Sequence, residues 1–255
     1  MKKSRKYPKV LVTAPTHESK NYCVYEYLDR VSNLTYPNYD VYFSENSPTP
    51  DNAKWLNKTF GVKVGWKDFG EQTIFEKLVY CHNDCFQKGM DGNFDYVLHL
   101  ETDVIPPLDI IERLMFHRKR VTNGWYFIGG GGTRHPVFRT LHHNSTDFQK
   151  KMIPYVTQYT TNYTHLFKDN LMKVYISGLG CMLIHKSVFK KAKFRLQKNE
   201  DWNQIKKGAP DSYFCSDLYK VHKVDNFVDL SAFCQHINYT SWGEGAHLLK
   251  NLKTE

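Results

Sequence analysis

No apolar run in this chain approaches the roughly 20 residues that a membrane-spanning helix needs. Behind the basic start Met1-Lys2-Lys3-Ser4-Arg5-Lys6, the run Val10-Leu11-Val12 is too short for the apolar core of a signal peptide. There is no internal repeat and no low-complexity linker, which excludes solenoids and arrays of tethered modules. Zinc-ligand spacing is missing as well. Cys81 and Cys85 stand four apart beside His82, but no second Cys or His pair completes a four-ligand site. A P-loop is also absent, since Gly129-Gly130-Gly131-Gly132 is followed by neither the Lys-Ser/Thr pair nor a clean helix. These absences predict a soluble, cytoplasmic protein without stable membrane insertion. Its six cysteines are expected as reduced, buried thiols. The N-x-[ST] sequons at Asn33, Asn57, Asn144, Asn162 and Asn238 are then accidents of composition.

What the chain does have is aromatic mass and positive charge. Seventeen Tyr and 16 Phe in 255 residues exclude a disordered or solvating chain. Lys and Arg number 35 against 26 Asp and Glu, a formal net charge of +9. That balance suits a polyanionic partner such as nucleic acid, an anionic membrane surface or a phosphorylated substrate. It suits plain solubility equally.

Along the first hundred residues apolar runs alternate with helical spacing. Lys9-Val10-Leu11-Val12-Thr13 reads as a buried strand ended by Ala14-Pro15. Over 20–33, Tyr22, Val24, Tyr25, Leu28 and Val31 recur at helical spacing. A strand over 40–44 and a turn at Asn46-Ser47-Pro48 come next, then a short helix near 51–60 and a strand over 62–64. Residues 72–89 carry Ile74, Leu78, Cys81, Cys85 and Phe86 on one helical stripe, and Tyr96-Val97-Leu98-His99-Leu100 is a strand. The rhythm predicts an α/β fold whose mostly parallel sheet is flanked by helices. The second half is less regular, with strands expected at 125–128, 173–176 and 181–184, and helices near 187–193 and 211–222. Residues 133–170 are polar, aromatic and His-rich, and suggest an insertion or acceptor-binding loop.

In parallel sheets, ligands bind beyond the carboxyl ends of the strands. That singles out Thr13, Glu45, Asn46, Trp66, Asp68, Glu101 and Asp103. Glu101-Thr102-Asp103 is the sharpest of these features. Two carboxylates one residue apart at a strand end can turn toward a hard divalent cation and its phosphates, although acidic residues there are commonly just solvated.

With that strand and its acidic end, the chain resembles the GT-A glycosyltransferases, particularly the family-2-type nucleotide-sugar transferases. Residues 95–103 are similar to the strand leading into that family's D-x-D motif, with Glu101 in place of the first Asp. Glu76-Lys77 and His82-Asn83 match its preceding helix, where a basic residue faces the nucleotide diphosphate. Ser177-Gly178-Leu179-Gly180-Cys181 resembles its Gly-containing strand on the acceptor side. Ala209-Pro210-Asp211 stands where the E-D motif is expected, and Phe233-Cys234-Gln235-His236 resembles the late strand whose His adds a metal ligand. Two departures are plain: Pro210 replaces the first acid of E-D, and Asp217 lies where Arg is common.

The resemblance covers residues 9–237 and implies one GT-A-like catalytic domain over 1–255. Its nucleotide-sugar half is 9–104, its acceptor and catalytic half 105–240, and 241–255 form a tail. The implied activity is transfer of a hexose or pentose from a nucleotide diphosphate sugar, UDP-sugar first among them, to a hydroxyl, with Mn²⁺ or Mg²⁺ at the diphosphate. Asp103 and His236 are the implied direct ligands, Glu101 a direct or water-mediated one, and Lys77 a second positive charge. Thr13, Glu45, Asn46 and Asp68 fall where the family binds base and ribose; loop capping is the alternative for each. Asp211 is the implied general base of an inverting transfer, with N-capping as its alternative role and Asp217 as second choice. Gly129–Gly132 read as a close-packed strand end beside the sugar.

For the acceptor, charge is the best guide. Basic residues cluster in 2–9, 113–120, 134–139, 186–198 and 206–207, among Tyr155, Tyr159, Tyr163, Phe167 and Trp202. Basic side chains position phosphates, and aromatics stack on an extruded base. This points to a hydroxymethylated base in DNA, the substrate of bacteriophage DNA-modifying transferases. A glycan or lipid-linked sugar is the alternative acceptor. A non-catalytic sugar- or nucleic-acid-binding module is the alternative of another class, favoured by Pro210 and Glu101.

Overall fold

The first half of the chain alternates strand and helix: β1 (Val10–Thr16), α1 (Val24–Ser32), β2 (Tyr39–Glu45), α2 (Asp51–Phe60), β3 (Lys63–Trp66), α3 (Ile74–Asp91) and β4 (Tyr96–Leu100). These elements belong to a computed structural model that describes residues 7–128, 135–139, 170–197 and 209–237. The expected stop at Ala14-Pro15 does not occur, because β1 runs through it to Thr16. Its pairing with β4 ends at Thr13–His99, whereas its pairing with β2 continues to Thr16–Glu45. Pro15 therefore falls where β1 has a partner on one side only, and a missing N–H is tolerated.

The second half supplies β5 (Val104–Ile105), α4 (Ile110–Phe116), β6 (Val121–Trp125), β7 (Phe127–Ile128), β8 (His135–Pro136), β9 (Phe138–Arg139), β10 (Leu171–Val174), β11 (Ile176–Ser177), β12 (Cys181–His185), α5 (Lys186–Phe189), α6 (Pro210–Lys220), β13 (Asn226–Phe233) and β14 (Gln235–His236). The main sheet has the order β10-β13-β6-β12-β4-β1-β2-β3. Strands β4, β1, β2 and β3 are mutually parallel, as are β6 and β13. Strand β12 runs antiparallel to both β4 and β6, and β10 antiparallel to β13. The sheet is thus mixed, with its parallel block at the β3 edge.

Alternation along the central strands fills two cores, as the period of two requires. Val10, Val12, Leu98, Leu100, Cys181 and Leu183 pack with Tyr27, Ile110 and Leu114. Leu11, Val97, Met182 and Ile184 point the other way, onto Phe86, Phe189 and Phe214. In α1 the buried stripe is Val24, Tyr27, Leu28 and Val31, while Tyr22 and Tyr25 are exposed. The expected stripe is therefore corrected by Tyr27, which lies at i+3 from Val24 and donates its hydroxyl to Leu100 O at 2.8 Å. Helix α3 starts with a reciprocal capping box between Thr73 and Glu76. Its Cys81, Cys85 and Phe86 are buried, but Ile74 is exposed and Leu78 half-buried.

One contact within the second half is tight. Tyr126 is buried, and its hydroxyl accepts from Gly180 N at 2.9 Å, while Gly180 O accepts from Glu101 N at 3.0 Å. A Cβ on Gly180 would stand 2.3 Å from the Tyr126 hydroxyl oxygen, which has no room to retreat. Gly180→Ala should therefore cost about 1–3 kcal/mol, as overpacking usually does, read as a lower urea midpoint at unchanged slope.

Candidate functional site

A cleft of about 360 Å³ opens beyond the carboxyl ends of β1, β2 and β4, between the turn after β1 and helix α3. Thr16, His17, Lys20, Asn46, His82 and Asp103 are among its lining residues, with Glu101 and Thr102 at its floor. Because β1 is three residues longer than its apolar run, the strand end that reaches the cleft is Thr16-His17. Thr13 is wholly buried beneath it and is not part of the lining.

Asp103 is the most constrained acid in the cleft. It is 4% exposed. The short ladder between β5 and β14 pairs His236 with Val104, and Ile237 N donates to Asp103 O at 2.7 Å. This register brings His236 Nε2 to 3.5 Å from Asp103 Oδ2. The same oxygen accepts a hydrogen bond from Lys20 Nζ. Burial alone would raise the Asp103 pKa, but His236 and Lys20 outweigh it and hold the carboxyl below its ordinary range. Lys20 responds in kind: burial works against its charge, yet Asp103 prevails and its pKa is raised. Glu101 fares differently. Burial first, and the Asp103 charge second, push its pKa up to about 7. Asp211 adds to that effect, so it lies within electrostatic reach of the same floor.

The residues expected around base and ribose separate into two groups. Asn46 lines the cleft and is buried, and its Oδ1 has no hydrogen-bond partner among the described residues. Glu45 lies behind it. Its Oε1 accepts from Ser47 N at 3.1 Å, from the Ser47 hydroxyl and from Asn52 Nδ2 at 3.2 Å, so it shapes the loop after β2. Trp66 pins that loop by donating Nε1–H to Ser47 O at 2.9 Å. Asp68 is exposed and accepts from Gly70 N at 2.9 Å, a loop cap outside the cleft lining. Lys77 is half-buried on α3 and is likewise not in the lining.

His82 lines the cleft from α3. Its Nδ1 lies 2.8 Å from His99 Nε2, and His99 Nδ1 lies 2.9 Å from Leu179 O. A carbonyl only accepts, so His99 donates from Nδ1 and accepts at Nε2, and His82 must donate from Nδ1. Burial lowers the pKa of His99 to about 4 and that of His82 well below the ordinary value. His82 is therefore a neutral imidazole, stacked on Phe194. The cation in this part of the cleft comes from Lys20 instead, a residue in the turn after β1. No pattern in the sequence marks it, because its position depends on the Glu18–Lys20 3-10 turn.

Asp211 and Asp217 are both on α6 but in different settings. Ala209 is the N-cap, with no side-chain cap bond, and Pro210 follows at the first position. Asp211 is therefore not the N-cap; it sits in the first turn, half-buried, accepting from Ser212 N at 2.7 Å. Asp217 is engaged through both oxygens by Arg195, at 2.6 and 2.9 Å. The structure thus gives the second-choice base to a bidentate ion pair. The Gly129–Gly132 run, Arg134, the aromatics Tyr155, Tyr159, Tyr163, Phe167 and Trp202, Lys206-Lys207 and the tail 241–255 lie outside the described residues.

Two side chains of suitable chemistry for a hard or borderline cation converge, the Asp103 carboxylate and the His236 imidazole. Ligands at about 2.1 Å on one octahedral ion lie roughly 3 Å apart, close to the 3.5 Å between these atoms. Among the described residues no group of three or more His, Cys, Asp or Glu side chains is set to hold a metal. The residues therefore fit an ion whose remaining positions are filled by ligand phosphates or water.

No family model matches this chain, and no curated protein sequence does. Solved structures do resemble it. S. aureus TarS 1–349 in complex with UDP-GlcNAc superposes with a TM-score of 0.53 at 12% identity, covering 91% of this chain and 59% of that one. The longer S. aureus TarS chain gives 0.51 at 12% identity, over 90% of this chain and 37% of that one. GalNAc-T7 with UDP, GalNAc and Mn²⁺ gives 0.54 at 10% identity, over 92% of this chain and 45% of that one. This chain therefore spans less than two thirds of each of those proteins. The chain has the GT-A fold. Among the described residues no helix is long and apolar enough to cross a membrane.

The His82–His99 pair makes stability pH-dependent with a definite sign. Both pKa values are lower folded than unfolded, so the unfolded chain takes up protons first as pH falls. Stability is fully present above about 6.5 and is lost on acidification toward about 4, by up to about 1.4 kcal/mol per pH unit for each histidine. Urea midpoints should fall between pH 7 and 5 in the parent. The slope should flatten in His99→Asn; equal slopes would contradict the assignment.

Proposed function

We propose that this protein is a glycosyltransferase that moves a hexose or pentose from a nucleotide diphosphate sugar to a hydroxyl group. The observation that carries this reading is Asp103, on the floor of a cleft lined by strand ends of a GT-A sheet, with His236 Nε2 3.5 Å from its carboxylate although His236 is not itself in the lining. Support for a UDP-sugar donor and Mn²⁺ or Mg²⁺ comes from the UDP, UDP-GlcNAc and Mn²⁺ in the similar structures. Asp103 and His236 would hold the cation, with Glu101 bound directly or through water; when bound it neutralises the leaving diphosphate. The base and ribose fall to Thr16 and Asn46, with Glu45 setting the loop behind them.

The transfer forms a bond from the acceptor oxygen to the anomeric carbon and breaks the bond from that carbon to the diphosphate oxygen, whose electron pair leaves with the nucleotide. The acceptor proton goes to Asp211, which α6 holds near Glu101. A carboxylate near the reacting hydroxyl contributes on the order of 10²–10⁴-fold as a general base. Asp217 is the weaker candidate, because Arg195 occupies both its oxygens. Asp211→Asn should lower the transfer rate by a factor of that order and leave donor binding by calorimetry unchanged. A rate within a few-fold of the parent would remove Asp211 from the role.

For the acceptor we propose a hydroxymethylated base in DNA, on the net charge of +9. Phosphate contacts release counterions, so binding should weaken with salt at a log–log slope of roughly −0.9 per contact on duplex DNA. Transfer from a labelled UDP-sugar to hydroxymethylated duplex, with unmodified duplex and oligosaccharide as controls, is the direct test. Transfer to oligosaccharide or lipid-linked sugar alone would replace the DNA acceptor and keep the transferase. No transfer and no donor hydrolysis with Mn²⁺ would favour a binding module on this fold.

A further inference from the structure

Lys20 occupies the oxygen that the proposed cation needs. Asp103 is buried, and both Lys20 Nζ and His236 Nε2 approach its Oδ2. A buried carboxylate without a counter-charge is costly, so something must compensate it when no ligand is present. Lys20 does so from outside: its side chain is 40% exposed and its backbone ends the Glu18–Lys20 turn. Its ammonium can therefore leave Asp103 by rotating its own stem, without disturbing a helix or strand.

We propose that Lys20 is a tethered counter-ion that a divalent cation must displace, and that it then passes to the phosphates of the incoming nucleotide. An ammonium and a divalent ion on one carboxylate oxygen would repel each other across a few ångströms of partly dry cleft. Metal entering alone must break the Lys20–Asp103 pair and leaves the ammonium without an anion. Metal entering with a diphosphate gives the displaced ammonium a new partner in the same cleft, which Lys20 already lines. Metal and nucleotide therefore bind with positive coupling, and Lys20 adds to whatever coupling direct phosphate coordination supplies. This rests on the donor-site reading above and assigns to it a residue that the metal-ligand set does not contain.

The test measures Mn²⁺ binding by the free-ion electron paramagnetic resonance signal, alone and with saturating UDP. Parent, Lys20→Met, Lys20→Arg and Asp103→Asn proteins are compared after circular dichroism confirms folding. In the parent, UDP should tighten Mn²⁺ binding by about 5- to 150-fold, the usual span of coupling between two sites. Lys20→Met should bind Mn²⁺ more tightly than the parent in the absence of UDP and show a smaller further gain with UDP than the parent does. Lys20→Arg, which keeps the charge, should retain coupling and serves as the comparison if Lys20→Met does not fold. Asp103→Asn should bind Mn²⁺ poorly throughout. Parent binding that UDP does not change, or equal Mn²⁺ affinity and coupling in parent and Lys20→Met, would overturn the role of Lys20 and leave the metal site standing. No Mn²⁺ binding by the parent with or without UDP would overturn both.

Discussion

Everything at the cleft floor depends on a few backbone hydrogen bonds between strands that are distant in sequence. Strand β12 pairs with β4 from Cys181–Leu100 to His185–Tyr96 and with β6 on its other side. Just past that ladder, Glu101 N donates to Gly180 O, and the Gly180 amide donates to Tyr126. The chain then turns through Thr102 into β5, where the two-residue ladder with β14 brings His236 to Asp103. Each step is a backbone register, so the cleft acids are fixed by strand pairing and not by the flexibility of their own side chains. Glycine at 180 is what lets the Tyr126 hydroxyl approach closely enough to join the chain of bonds.

The charges in the cleft follow from that rigidity. Two carboxylates one residue apart on a turn held by backbone hydrogen bonds stay close together, and the environment divides their roles. Asp103 takes the counter-charges and is held ionised, while Glu101 is pushed toward neutrality by burial and by its neighbour. His82, in the cleft lining, and His99, wholly buried on β4, are kept neutral by burial and by a hydrogen-bond chain that ends on a carbonyl. Positive charge at the floor is thereby left to Lys20, which enters from the turn after β1.

Much of this was readable in the sequence, and the exceptions have physical causes. The β4 boundaries and those of α2 come directly from apolar runs bounded by turn residues. The juxtaposition of Asp103 and His236 was readable through the order of motifs, although 133 positions separate them. Thr13 was misplaced because β1 accepts Pro15 on its one-sided stretch and carries the strand end to Thr16. Asp217 looked available because Arg195 is 22 residues away in sequence and becomes its partner only through packing of α6. Lys77 and Asp68 satisfied the rule that ligands gather at strand ends, yet one sits along α3 and the other caps its own loop. Lys20 was invisible since a lysine in a polar turn carries no periodicity; its meaning arises from the carboxylate it reaches.

The place of β12 also shapes how the molecule is made. Leu100 and Cys181 are neighbours in the sheet but 81 residues apart in the chain, since 181 − 100 = 81. At about 5–20 residues per second, synthesis takes roughly 4–16 s to bring β12 out after β4. During that interval the parallel block β3-β2-β1-β4 would present Tyr96-Val97-Leu98-His99-Leu100 as an uncovered apolar edge. Such an edge is a template for strand addition by any other chain. The nascent protein is thus most exposed to mispairing before its second half exists, and β12 covers the β4 edge.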